Sequence, residues 1–281
     1  MKTSINLAMK CPFSGSKIDF RKNSIKTSDE KPFVSKNSIV RKIWGKSDVI
    51  LFIFAGGAAE FALNKTVDWL YFTGKLPSDP LGRMFSTVEY ARKIVFASET
   101  DAHQTIITIY KIHSAVEQKR GYPIPDWGYR DVLFMLMYYS IASYELLERK
   151  LLISEKEEVY TVFAEVGKLM GVEGIPENYQ AWLVARDKHL EENLEKSFYT
   201  EDLYSQYKKH LGLSRYKILL EAQKLVVPKK VKELLQFNDF LYLSPTVPVY
   251  KLLKALKLDD FVKAILLPSE YKTQINALEI H

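Results

Sequence analysis

Asp126-Trp-Gly-Tyr-Arg-Asp-Val-Leu-Phe-Met-Leu-Met-Tyr-Tyr-Ser-Ile-Ala-Ser-Tyr-Glu-Leu-Leu147 is the stretch on which the fold class turns. From Val132 to Leu147 it is apolar on nearly every side of a helix. A helix with no polar face is buried all round, so other helices must enclose it. Asp126 is placed to cap it, and Gly121-Tyr-Pro-Ile-Pro125 forms a rigid connector before it. The pattern predicts a central helix in a single all-α domain.

Working outward, the same period recurs. Ser47-Asp48 is read as the cap of a helix running through Leu63. Its Gly56-Gly57 pair implies either the close approach of another helix or a local break. Pro77-Ser-Asp-Pro80 is a helix-start signal, followed by Leu81, Phe85, Val88, Ala91, Ile94 and Val95 at helical spacing to about Ser98. Thr100 or Asp101 is expected to cap the next helix, which runs to about Gln118. Further helices are expected at 154–170, 176–196, 200–211, 213–225, 228–236, 246–256 and 258–266. Strand-like alternation is scarce, and no repeat or low-complexity tract is present.

Charge divides the chain unevenly. Residues 1–46 carry eleven Lys/Arg against three Asp/Glu, and the rest carries twenty-nine against thirty-one. The basic character thus belongs to an irregular N-terminal arm, 1–46, attached to a slightly acidic body, 47–281. Such a body does not suit nucleic acid, which needs a clustered basic face. The arm, with Lys17, Arg21, Lys22, Lys26, Lys31, Lys36, Arg41, Lys42 and Lys46, is either solvated or a peripheral contact for an anionic membrane surface. Lysine interrupts the start before an apolar signal region forms, so a cytoplasmic location is expected. Val49–Ala59 is too short for a bilayer span of about 20 apolar residues. One cysteine, Cys11, allows neither an internal disulfide nor a Cys-rich zinc site. Phosphate-loop, dinucleotide, nucleophile-elbow, zinc-protease and di-iron Glu-x-x-His motifs are all absent.

Two polar features stand on otherwise apolar helix faces. Of five histidines, His281 is terminal, His210 follows two lysines, His189 lies among charges and His103 sits at a polar helix start. His113 alone shares a face with Ile106, Ile109, Tyr110 and Val116. It is either a neutral core imidazole bonded to a carbonyl or a metal ligand. Arg83 and Thr87, four apart, share one face among Leu81, Met84, Phe85 and Val88. An inward guanidinium needs an acceptor. That is either a ligand or a carboxylate such as Glu117 or Asp131.

The run Asp79-Pro-Leu-Gly-Arg83-Met-Phe-Ser-Thr87-Val-Glu-Tyr90, then Ile94-Val-Phe96, Ala102 and Ile109-Tyr-Lys-Ile-His113-Ser-Ala-Val116, resembles one family. It includes latex clearing protein, a rubber oxygenase, and the membrane-associated oxygenase of mycophenolic acid biosynthesis. The shared pattern is Arg-x-x-x-Thr on one helix and His on the next, and the likeness extends from about Ile50 to Leu190. The resemblance implies an all-helical fold holding one haem b, with His113 as axial iron ligand and Arg83 and Thr87 on the other face of the haem or near its edge. It further implies O2 and a hydrophobic, isoprenoid- or lipid-like substrate. Phe134, Met135, Met137, Tyr138 and Tyr139 then either line a greasy cavity or are plain core. Latex clearing protein has a lysine just before the threonine; here Ser86 stands there, and the family's catalytic carboxylate has no assigned counterpart. A non-catalytic haem- or lipid-binding helical protein is the alternative reading, and the oligomeric state is not legible.

Overall fold

The computed structural model describes residues 30–74, 78–238, 247, 248, 250 and 251. Among them are ten helices and no strand beyond isolated bridges. Short α1 (Ile39–Trp44) precedes α2 (Ser47–Phe61), and short α3 (Val67–Phe72) follows it. Then come α4 (Pro80–Val95), α5 (Glu99–Arg120), α6 (Asp126–Leu147) and α7 (Ile153–Leu169). The series ends with α8 (Tyr179–Glu192), α9 (Phe198–Val226) and α10 (Lys229–Leu234). The fold is the expected single all-α domain.

The central helix is α6, and α2 is the helix packed most extensively against it. Close approach is possible because Gly56 has no Cβ; one built there would collide with the Tyr139 ring. Of the two readings of Gly56-Gly57, close packing is the one observed. Trp44 from α1 donates its indole N–H to Ser140 Oγ of α6 at 3.1 Å. The expected arm therefore ends inside the core. Val34, Ile39, Val40, Ile43 and Trp44 are all buried, although they fall within residues 1–46.

Several helix ends differ from expectation for identifiable reasons. Asp79 caps α4 through Gly82 N at 2.8 Å, as the Pro-Ser-Asp-Pro signal implies. Ser98, rather than Thr100 or Asp101, caps α5 by accepting from Asp101 N at 3.2 Å. The two helices are thus separated only by Phe96–Ser98 and form a tight hairpin. Asn178, not Pro176, starts α8, its Oδ1 accepting from Ala181 N at 2.9 Å. The expected break near 212 is real. Gly212 adopts φ 71° and ψ 167° inside α9, and the halves fold toward each other, with Tyr204 OH donating to Gln223 Oε1 at 3.0 Å. Most of the helices expected at 246–256 and 258–266 lies outside the described residues.

Inside the core lies an ion pair that the charge pattern conceals. Glu60, at the apolar end of α2, is 1 % exposed, and Arg186 of α8 is 3 % exposed. Both guanidinium Nη atoms reach the Glu60 carboxylate, and Tyr139 OH donates to Glu60 Oε2 at 2.9 Å. Arg186 also lies over the Tyr138 ring, 5.2 Å from its centroid. Charges so far from water are tolerable only because each supplies the other's partner. Removing one partner, as in E60L or R186M, is expected to cost about 3–5 kcal/mol, whereas the double apolar variant should recover much of that. Urea unfolding of the three variants checks this; single-variant losses below about 1 kcal/mol would show that the pair is not what holds these helices together.

Candidate functional site

The α4–α5 hairpin places the sequence-predicted residues at one level. Arg83 lies 12 residues before the end of α4, and His113 lies 14 residues after the start of α5. At 1.5 Å rise per residue those offsets differ by only about 3 Å, so antiparallel packing brings the two side by side. The electrostatics agree. Burial first, and then the positive charge of Arg83, pull the His113 pKa down to about 4. The imidazole is accordingly neutral at physiological pH, the form that binds metal. Thr87 accompanies Arg83 on the same helix face, and its Oγ1 donates to Arg83 O at 3.2 Å. Ser86 donates its hydroxyl to the same carbonyl at 2.7 Å, so it is turned back onto its own helix.

His113, like His189, has a ring nitrogen, Nδ1, cut off from water without a hydrogen-bond partner among the described residues. An unpaired buried polar atom costs about 1–3 kcal/mol. Native proteins rarely leave one without a reason. A core imidazole satisfied through Nδ1 by a carbonyl or carboxylate is therefore not what is observed. The ring instead packs edge-on against Tyr129 of α6, with centroids 5.3 Å apart and planes at 82°.

Around this histidine lie residues that the sequence reading left in other roles. Glu117, one turn beyond His113, accepts from Tyr129 OH at 2.9 Å and from Ile124 N at 2.8 Å through Oε1. One further turn along, Arg120 pairs with Asp68 of α3 at 2.5 Å. It is also enclosed by the rings of Trp69, Tyr122 and Phe72, at 4.1, 4.7 and 5.4 Å from its guanidinium carbon. Asp131, one candidate partner for Arg83, is instead engaged by Asn64 at 2.7 Å, by Asn193 and by His189 Nδ1. His189, which the sequence places among charges, is buried, and burial followed by the charge of Arg130 pulls its pKa down to about 4. Tyr110, placed with His113 on an apolar face, is 56 % exposed, whereas Ile106 of that face is buried.

The Met/aromatic stripe of α6 is core. Phe134, Met135, Met137 and Tyr139 are buried in the main hydrophobic cluster, with Phe134 packed against Trp182 and His189. Among the described residues no three of His, Cys, Asp and Glu converge as a metal-ligand group. Iron held by a porphyrin needs only one or two ligands from protein. His113, neutral, with an unpartnered nitrogen and the charge of Arg83 nearby, fits that requirement; His189 shares the low pKa and an Nδ1 without a hydrogen bond, but lies against Asp131 and outside the Arg83/Thr87 pattern. No helix among the described residues is long and apolar enough to cross a membrane.

The chain matches a class of oxygenase catalytic domains. The profile of the family described as ER-bound oxygenase mpaB/B′/Rubber oxygenase, catalytic domain, covers residues 42–258, and the chain belongs to that family. Arg83, Thr87 and His113 all fall within the match. Comparison with curated proteins and with solved structures yields no match.

The low His113 pKa has a consequence for the cofactor-free chain. A histidine whose folded pKa is depressed stabilises the fold fully above its unfolded value of about 6.5, and that contribution is lost as pH falls toward about 4. The loss should be on the order of 2–3 kcal/mol. Unfolding free energies of wild type and H113Q measured from pH 7 to pH 4 should diverge at the top of this window and converge at the bottom. Parallel curves would show that His113 is not buried as a neutral ring.

Proposed function

We propose that the chain is a haem b-dependent oxygenase in which His113 is the axial iron ligand and the substrate is hydrophobic, isoprenoid- or lipid-like. The observation that carries this is the buried, unpartnered Nδ1 of His113 beside Arg83. Membership of an oxygenase family supplies the reaction class, with O2 and a small organic molecule as reactants. The haem, when bound, supplies the activation of O2. The chain's own residues do the rest. His113 presents a neutral nitrogen and needs no proton removed before it ligates. Arg83 offers fixed positive charge near the same place, suited to a carboxylate of the cofactor or to negative charge developing on oxygen. Thr87 stands one turn away on the same face.

Ser86 stands where the resemblance to latex clearing protein implies a lysine. Its hydroxyl is bonded to Arg83 O, and serine is too short to cross to an iron. Ser86 would therefore supply no iron ligand, and a bound haem would be expected to take small exogenous ligands such as imidazole or cyanide readily. The same observation is what a non-catalytic haem or lipid binder would need, and steady-state turnover separates the two readings.

Full-length protein purified from cells fed a haem precursor should show a Soret band near one equivalent of haem. It should also consume O2 with an alkene from a panel of hydrophobic substrates. H113A should lose stable haem binding, while H103A and H210A keep it. Haem retained at wild-type stoichiometry by H113A would overturn the axial assignment. Any contact of the arm with anionic lipid would be peripheral and through surface charge, and Lys31 and Lys46 already pair with Glu99 and Glu148. Sedimentation with anionic vesicles should then disappear at about 1 M salt, where the Debye length is about 3 Å.

A further inference from the structure

We infer that Tyr129 and Glu117 are positioning residues that fix the rotation of the His113 ring, and so the plane in which its nitrogen meets a ligand. The inference rests on the axial role proposed for His113. Three observations support it. The Tyr129 ring stands edge-on to the imidazole at 82°, with centroids 5.3 Å apart, a contact that rotation of the imidazole about its Cβ–Cγ bond would disrupt. Tyr129 cannot swing away freely, because its hydroxyl is held by Glu117 Oε1 at 2.9 Å. Glu117 is held in turn, since the same oxygen accepts from the backbone N–H of Ile124 at 2.8 Å.

The chain of contacts closes on itself. Glu117 and His113 are one turn apart on α5, so the anchor and the imidazole move as one rigid body. Tyr129 comes from the first turns of α6, and Ile124 from the connector between the two helices. The loop His113–Tyr129–Glu117–Ile124 therefore spans the α5–α6 corner. Metal-binding histidines usually have their orientation set by a hydrogen bond from the second ring nitrogen. At His113 the edge-on ring wall provided by Tyr129 constrains the same rotation.

Glutamine at 117 keeps an acceptor oxygen for both donors, and alanine does not. The test therefore compares E117A with E117Q, and Y129L with Y129F. In the cofactor-free full chain, the His113 ring resonances of wild type should report one fixed environment by NMR. E117A and Y129L should broaden or average them, E117Q should restore them, and Y129F should fall between. In the haem-loaded chain, E117A and Y129L should release haem to an acceptor globin about 10-fold faster, the low end of the usual effect of residues supporting a ligand. They should also broaden the ferric electron paramagnetic resonance signal. Unchanged ring resonances in both E117A and Y129L would overturn the brace whether or not haem binds. Failure of the wild type to take up haem would instead count against the cofactor assignment, and the NMR comparison would still decide the brace. A role confined to stability would lower the melting temperature and leave ring dynamics, haem release and the paramagnetic signal as in wild type.

Discussion

Glu60 carries a carboxylate into the part of the core where α2, α6 and α8 meet, and those three helices keep their arrangement only while that charge is answered. Arg186 answers it from α8, and Tyr139 from α6. The Tyr139 ring also fills the place left by Gly56, so one side chain meets both the backbone and the carboxylate of α2. The rotation of α6 about its own axis is fixed by this arrangement. That rotation in turn decides which side of the helix's first turns faces α5, and hence that Tyr129 meets His113. The site and the core are thus geometrically linked through one long helix, although they share no side chain.

What could be read from the sequence follows how local each signal is. The central helix and the α4–α5 hairpin were legible because hydrophobic period and proline signals agree over more than a dozen residues, although Pro125 rather than Asp126 takes the N-cap of α6 and Ser98 that of α5. The six-residue helices α1 and α3 were not, because a helix shorter than two turns shows no period. In α1 the apolar residues Ile39, Val40, Ile43 and Trp44 are also masked by the surrounding lysines that define the arm. Arg186 and His189 sit in a charged run that gives no sign of burial. Their partners, Glu60 and Asp131, lie far away in sequence, and no local pattern announces a pair formed across the core.

The site was legible in a different way. Arg83, Thr87 and His113 stood out as polar residues on apolar faces, and family resemblance supplied their joint meaning. The hairpin then places Arg83 close enough to His113 to act on its charge. Tyr129 and Glu117 gave no comparable signal. Tyr129 lies beyond a proline-containing connector, and Glu117 looked like one of several carboxylates able to pair with Arg83. The Met/aromatic stripe misled in the opposite direction, since its composition suits a cavity and a core equally well, and neighbours on α2 and α8 decide for the core.

Before α1, the chain is stitched to the turn between α4 and α5. Phe33 N donates to Ala97 O at 3.2 Å, Glu99 N donates to Lys31 O at 2.9 Å, and Pro32 bridges Ser98. From Glu99 to His113 is 14 residues of continuous helix, about 21 Å at the usual rise. Whatever pulls on the segment before residue 31 therefore pulls on the closed end of the hairpin, while Arg83 and His113 sit toward its open end. Two packed helices resist stretching along their length far better than they resist being pried apart. Load introduced at the turn would tilt the pair as a unit and leave the spacing between the guanidinium and the imidazole intact.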